Sequence, residues 1–468
     1  MKKHLKIFSA TTFQIICNQL FGLLFFLLLS SDVSKDIFGD LNWSIAVSVT
    51  ASVIFTFGFD YIVVRKISSG GNQHEVAGTY LAHTLAVTAV CVLALVFSSV
   101  VFPAFFQFHD LFFCISISTL LTFVAAPFKQ LAMGKEKFWN LAIMNVTCNF
   151  IRISGLLLMI LTKNLTAYNI KMLFIGSSGI ELLVCNFLTF RYMGGALFPV
   201  FKSKLYQSLV KEALPQTGTV LLDSAFARMD WILMGLLSTK IFTADYSFAY
   251  KAFESSRIPL LIIAPVLLPK LSRIYSKEEH FNEDIGQQLN SLWKVESIVW
   301  AFIPMMLNVC WVDLVNLFTH NKYGESTQGV YLVLSMGIPM LFINNYLWTI
   351  AFAKGRLSLT FKISIVVTIS NFILNIILIP YFHALGAAIA STLGILVQLI
   401  MYSMSVKEER LSIPMFDFIK TFLFIGVVIA AFHFLQLHWL VKGVLAIGLF
   451  GGWAYGLKLQ KYVRPGGS

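Results

Sequence analysis

Charge is what this chain has least of. Of 468 residues only 12% are Asp, Glu, Lys or Arg, against 57% hydrophobic, and the mean hydropathy is +0.77. So little polar surface cannot cover a water-soluble globule of this size, which excludes a soluble enzyme or binding module. Motifs that carry their own chemistry are missing as well. There is no P-loop or nucleotide-binding domain, so any energy must come from ion gradients or substrate flux. Cys17, Cys91, Cys114, Cys148, Cys185 and Cys310 form no CxxC pair and have no companion histidines, which makes them small apolar packers. His109, His320, His383 and His438 stand singly, without metal-ligand spacing, and no cofactor is expected. Nor is there a long extracytoplasmic loop or His/acid cluster for a membrane-embedded glycan polymerase or acyltransferase. No small-residue cleavage site follows the first apolar segment, so it reads as a retained helix.

Long apolar segments fill the chain. Each is near the roughly 20 residues a helix needs to cross the hydrocarbon layer. They fall near 10–30, 41–64, 77–101, 111–132, 141–162, 170–190, 214–236, 246–272, 292–318, 328–351, 359–379, 385–405, 419–436 and 439–458. The expectation is an all-α polytopic membrane protein of about 14 transmembrane helices. Lysine and arginine crowd into alternate connections, including Lys2, Lys3, Lys6, Arg65, Lys66, Lys135, Lys137, Arg191, Lys202, Lys204, Lys211, Lys270, Arg273, Lys277, Lys354, Arg356, Lys407, Arg410, Lys458, Lys461 and Arg464. The other side keeps little more than Lys35, Lys163, Lys240 and Lys322. Short basic loops stay in the cytoplasm, so both termini are expected inside. The net charge of +12 is then topology first and anionic-lipid contact second, not nucleic-acid binding. Tryptophans such as Trp43, Trp139, Trp311 and Trp439 lie near span ends, where an interfacial belt accounts for them.

A weak internal repeat organises the spans. Ala132, Lys135 and Lys137 precede a helix with Asn149-Phe150-Ile151; Ala351, Lys354 and Arg356 precede one with Asn371-Phe372-Ile373. This gives two six-helix lobes, 1–190 and 214–405, joined by a cytoplasmic linker at 191–213 and followed by two further helices and a cytoplasmic tail in 406–468.

Arg152 is the foremost site candidate. It lies about 15 Å from either end of its span, at a depth where an arginine costs about 2.5–3.5 kcal/mol unless it faces a partner or a watered cavity. Asn145 and Asn149 share its helical face, and Asn371 and Asn375 lie on a similar stripe with Ser364 and Thr368. The two stripes point to a polar chamber; the alternative is hydrogen bonding that glues helices together. Gln14 and Asn18 share a face of the first span, and Arg228 and Lys251 are further cations for such a chamber. Asp60, Glu181, Asp223, Asp230 and Glu254 are candidates for ion coupling or for structural ion pairs, Glu254 being spaced to pair with Lys251 or Arg257 along its own helix.

Asn371-Phe372-Ile373-Leu374-Asn375, Leu378-Ile379-Pro380-Tyr381 and Leu385-Gly386-Ala387-Ala388-Ile389-Ala390 resemble a pattern of polysaccharide exporters in the multidrug/oligosaccharidyl-lipid/polysaccharide superfamily, departing at His383-Ala384 where a glycine-bearing turn is usual. Met229 through Gly235, Tyr246, Tyr250-Lys251, Glu254, Pro265 and Pro269 through Ser272 are similar to the same family, as are Gly58-Phe59-Asp60 and Arg65. The resemblance implies a MATE-like fold and, with fourteen spans, a Wzx-like O-antigen flippase of the bacterial inner membrane. It would move a lipid-linked oligosaccharide between leaflets by alternating access, drawing on a proton or sodium gradient, with membrane lipids and other envelope polysaccharide assembly proteins as partners. A lipid II flippase, a cation-coupled exporter of small cationic compounds, and an envelope enzyme or scaffold are the alternatives. Arg152 is the candidate for the phosphate charge, because a guanidinium matches phosphate oxygens bidentately.

Overall fold

A computed structural model describes residues 2–70, 72–260, 300–405, 415–435 and 437–456. Among these, all regular structure is helical. In chain order the helices are α1 (Lys2–Asp32), α2 (Lys35–Thr56), α3 (Phe59–Ser68), α4 (Gln73–Val101), α5 (Pro103–Phe108), α6 (Phe112–Gly134), α7 (Phe138–Leu161), α8 (Ala167–Tyr192), α9 (Ser203–Leu237) and α10 (Lys240–Ser256). There follow α11 (Trp300–Val309), α12 (Trp311–Thr319), α13 (Gly324–Ala353), α14 (Leu357–Ser405), α15 (Met415–Phe434) and α16 (Trp439–Gly456). Nine of the described helices are long and apolar enough to cross a membrane, or ten if α11 and α12, bent by 68°, make one span. The ends of the expected spans at 246–272 and 292–318 lie outside the described residues, as do Pro265, Pro269 through Ser272, Arg273, Lys277, Lys407, Arg410, Lys458, Lys461 and Arg464.

Local chemistry sets the helix ends. Ser34, Asn72, Thr166 and Thr239 each accept the backbone N–H three residues ahead, starting α2, α4, α8 and α10. The span expected over 41–64 is two helices, because Phe57 (φ 48°) and Gly58 (φ 67°) take left-handed backbone between α2 and α3. The arms expected at 359–379 and 385–405 form α14, broken at His383 (φ 49°, ψ −125°). A Cβ on Gly386 would sit 2.4 Å from the Leu378 carbonyl oxygen. Residues eight apart in a straight helix are about 12 Å apart, so the two arms are folded back on each other and only glycine fits. His383 therefore occupies the position where the family pattern has a glycine-bearing turn, and its ring compensates by bonding Ser238 Oγ at 3.1 Å and stacking on Phe242 at 4.2 Å.

Burial follows a lipid solvent. On α4, Val90, Leu93, Phe97 and Val100 form one face and are exposed, Leu93 by 70% and Val100 by 75%. Such a face would be untenable in water and is ordinary against hydrocarbon. Trp43 and Trp311 depart from the interfacial belt expected of them: both are buried, Trp311 stacked on Tyr331 and bonded to Thr327.

By its contacts the chain divides into two compact units, Met1–Gly235 and Leu236–Ser468. Residues 203–213, expected within a linker, are the first turns of α9 and are tied into the first unit by Glu212, which pairs with Arg65 and Lys66. Several basic residues of this unit are held by local partners. Lys202 pairs with Glu75 at 2.6 Å, Lys66 Nζ donates to Ser208 Oγ at 3.3 Å, and Lys135 Nζ donates to the Met193 carbonyl at 2.5 Å.

The suspected repeat has a structural counterpart. Lys137 N donates to Ala132 O and Arg356 N to Ala351 O, both at 2.9 Å, with Glu136 (φ 56°) and Gly355 (φ 69°) left-handed in the same place of each turn. Each turn also sends a cation to the end of a later helix: Lys135 to the Met193 carbonyl beyond α8, and Arg356 to the Ser405 carbonyl of α14 at 3.3 Å. Cations at helix C-termini complement the unpaired carbonyls there.

Candidate functional site

Arg152 sits near the middle of α7, where α6, α7 and α8 pack together. Its Nε donates to Ser177 Oγ at 3.1 Å, and its Nη2 reaches Ser118 Oγ and Ser178 Oγ, each at 3.3 Å. The guanidinium also lies 4.3 Å from the Phe174 ring centroid. Ser118 and Ser177 both donate their protons to the Phe174 carbonyl at 2.9 Å, so their lone pairs are turned toward the arginine. The cation is thus cradled by neutral oxygens and a ring face. Among the described residues no carboxylate pairs with it, and Nη1 makes no hydrogen bond. A half-buried guanidinium with no carboxylate partner among the described residues has the donors to match an anion's oxygens bidentately.

The acids nearby are already partnered. Glu181 is buried on α8 and takes Lys129 Nζ of α6 at 2.5 Å and the Thr122 hydroxyl at 3.2 Å. Asp60 Oδ1 accepts from Tyr80 Oη and Gln130 Nε2, both at 2.9 Å, with the Lys129 charge close by. Lys129 therefore stands between two carboxylates. The sequence reading did not single it out, although a lysine seven residues after Thr122, inside an apolar span, is the kind of signal that would have found it.

Other expected site residues are placed differently from one another. Asn149 turns away from Arg152 and donates to Asn18 Oδ1 at 3.1 Å, joining α7 to α1. Gln14 and Asn145 are half-buried and make no side-chain hydrogen bond among the described residues. Asn371 and Asn375 were expected on a chamber wall, but they are sealed inside the second unit at 1% and 0% exposure. There Asn375 Nδ2 donates to both oxygens of Asn371 and Asn371 Nδ2 has no described partner. α14 packs against α13 and α10, so its polar stripe is turned to helix neighbours in the second unit. Lys251 and Glu254 pair along α10 at 2.7 Å, the local alternative, while Arg257 lies over Phe253. Arg228 is half-buried and Asp230 is buried on α9; the Asp223 side chain lies outside the described residues.

A model of the family described as "Polysaccharide biosynthesis protein" matches residues 5–275, more than half of the chain. The chain belongs to that family. It is thereby a member of the multidrug/oligosaccharidyl-lipid/polysaccharide superfamily of transporters and not of an enzyme family. The model for lipid II flippase MurJ matches residues 256–454. The Staphylococcus aureus capsular polysaccharide biosynthesis protein CapF is 28% identical over 149 residues, 30% of this chain and 35% of that protein, so the alignment spans about a third of this relative. Among solved structures, lipid II flippase MurJ in an inward closed conformation superposes with a TM-score of 0.74 at 16% identity, covering 98% of this chain and all of that one. An inward-facing multidrug resistance MATE family transporter superposes at 0.63 with 11% identity, covering 92% and 100%. These two likenesses bear on the fold alone.

Two features of this family member escaped the sequence reading. His109, read as a lone histidine, pairs through Nδ1 with Asp40 at 2.7 Å, both buried; Asp40 also accepts Leu111 N–H at 3.1 Å, and the His109 ring stacks on Trp43 at 3.8 Å. No open space reaches this pair, so it is an anchor and not a reaction centre. In the second unit an apolar crevice of about 730 Å³ lies between α11–α13 and α15–α16, lined by residues such as Val309, Leu332, Met336, Ile425 and Ile429, with Asp313 and Lys442 at its polar edge.

Proposed function

We propose that this chain is a flippase for a polyprenyl-pyrophosphate-linked oligosaccharide, the repeat unit of an O-antigen or capsule. It carries this substrate from the inner to the outer leaflet of the bacterial cytoplasmic membrane by alternating access between two lobes. The termini and basic turns are cytoplasmic, and a proton or sodium gradient supplies the energy. The observation that carries the reading is Arg152: a mid-membrane guanidinium held, among the described residues, by serine hydroxyls and a phenylalanine ring, with no hydrogen bond at Nη1. A pyrophosphate is the part of such a substrate that needs this group. The apolar crevice beside α15 and α16 suits the isoprenoid tail. An exporter of small cations would need unpaired acids in the membrane, and among the described residues Glu181, Glu254 and Asp60 are bonded to Lys129, Lys251, Tyr80 and Gln130. That observation weighs against the multidrug alternative.

The test is a strain lacking the gene. Lipid-linked glycan is expected to build up on the cytoplasmic leaflet while surface polysaccharide disappears. The intact gene restores export; Arg152→Ala does not, at normal protein level, and Arg152→Lys restores it only in part, because a point charge replaces a planar fork. Unchanged surface glycan with new drug sensitivity would overturn the reading in favour of the exporter.

A further inference from the structure

Arg152 and Glu181 belong to one polar core and are only two hydroxyls apart. Arg152 Nη2 reaches Ser178 Oγ at 3.3 Å; Thr122 Oγ1 lies 3.4 Å from that oxygen and 3.2 Å from Glu181 Oε2. Ser178 and Glu181 are three residues apart on α8 and so share a face. A guanidinium and a carboxylate placed like this, away from bulk water, would gain most by closing on each other as a bidentate pair. A closed pair would occupy two of the arginine's five N–H donors and neutralise its charge, weakening its hold on a phosphate. What holds Glu181 away is Lys129, whose ammonium sits 2.5 Å from Oε1 with the carboxylate 2% exposed.

We infer that Lys129 is a positioning residue that gives the site its preference for anions: by engaging Glu181 it keeps the Arg152 guanidinium free for the phosphate of the substrate. The inference rests on the reading of Arg152 as the pyrophosphate anchor. The charges facing this core are Lys129 of α6, Arg152 of α7, Glu181 of α8 and Asp60 of α3, with the Tyr80 hydroxyl of α4 and the Cys148 and Cys185 thiols beside them. The two cations and two carboxylates balance. Without Lys129, the cation nearest Glu181 along this chain of hydroxyls is Arg152. Without both Lys129 and Glu181, balance returns and Arg152 again has no acidic neighbour two hydroxyls away.

The experiment measures binding of a glycan-free polyprenyl pyrophosphate, and of the uncharged polyprenol, to the full-length protein in detergent. Lys129→Gln is expected to bind the pyrophosphate about tenfold more weakly, the equivalent of about 1.4 kcal/mol of competition from Glu181, with polyprenol binding unchanged. Lys129→Arg is expected to bind like wild type, and Lys129→Gln/Glu181→Gln to return to within about threefold of it. A merely structural lysine would weaken both ligands alike and would not be rescued by removing its partner; that pattern, or wild-type affinity in Lys129→Gln, overturns the inference. Should Lys129→Gln alone fail to fold, Glu181→Gln carries the test: with the competitor gone it must bind pyrophosphate at least as tightly as wild type, and a tenfold loss overturns the inference. If the wild-type protein binds polyprenol and pyrophosphate equally, the anchor reading of Arg152 falls, and the role of Lys129 with it. If wild type prefers pyrophosphate and Lys129→Gln is unaltered, only the role of Lys129 falls.

Discussion

Gly235→Ala should be among the most damaging single-methyl additions in this protein. A Cβ at Gly235 would lie 1.8 Å from Trp43 Cδ1 and 2.3 Å from Nε1, far inside contact distance. The indole cannot retreat freely. Its Nε1 donates to the Ile232 carbonyl at 3.1 Å, and its ring stacks on His109, which Asp40 holds in place. Relief requires moving α9 or turning Trp43 out of its stack. Overpacking of this kind costs about 1–3 kcal/mol, and a lost indole hydrogen bond adds about 1 kcal/mol; the expected loss is about 2–4 kcal/mol. Reversible unfolding in mixed detergent micelles measures it. Trp43→Ala alone should cost about 3–5 kcal/mol. The double variant should cost roughly 2 kcal/mol less than the sum of the singles, because with the indole gone the alanine has nothing to strike. Wild-type stability in Gly235→Ala, or strictly additive costs, would show that the end of α9 is not seated on Trp43.

Three further outcomes follow from the same geometry. His109→Ala should destabilise the protein by about 2–3 kcal/mol in the same assay, since the buried Asp40 carboxylate loses a charged hydrogen bond; the amide of His109→Gln should recover part of the loss. In the first unit, the Lys66 ammonium and Ser208 hydroxyl hold the Glu212 carboxyl from its ordinary 4.5 down to about 2. A depressed carboxylate stabilises the fold above its unfolded value and loses that contribution as pH falls toward the folded one. The melting difference between wild type and Glu212→Gln should therefore be constant above pH 4.5 and vanish on the way to about pH 2. In α14, His383→Ala keeps the left-handed backbone and loses both side-chain contacts, so it should be less stable than His383→Gly by about 1 kcal/mol.

The membrane character of the chain was plain in its composition, because the bilayer demands long apolar helices whatever their partners. Breaks within spans were less legible. Phe57-Gly58 divides an apolar run that reads as continuous; the break at His383 falls between the expected spans at 359–379 and 385–405, but its left-handed backbone was not legible. Both breaks rest on tertiary support: Thr217 Oγ1 donates to the Phe57 carbonyl at 3.0 Å, and Ser238 and Phe242 hold His383. The depth of Arg152 also followed from counting along one helix. Its surroundings did not, since Ser118, Ser177 and Ser178 come from two other helices.

The same distinction governs the ion pairs. Lys251 and Glu254 meet three residues apart on α10, a spacing that helical geometry makes visible in the sequence. Lys129 and Glu181 meet 52 residues apart, and Asp40 and His109 meet 69 apart, through helix packing that no local pattern encodes. The exposed local pair is worth little to stability, whereas the distant, buried ones are costly to break. Among these three ion pairs the one legible in the sequence is therefore the least consequential for stability. Lys251→Gln/Glu254→Gln should leave the fold within about 0.5 kcal/mol of wild type. Breaking Lys129–Glu181 from the lysine side alone should cost several times that, because it strands a buried carboxylate. Equal effects from the two experiments would mean that water reaches Glu181 as freely as it reaches α10.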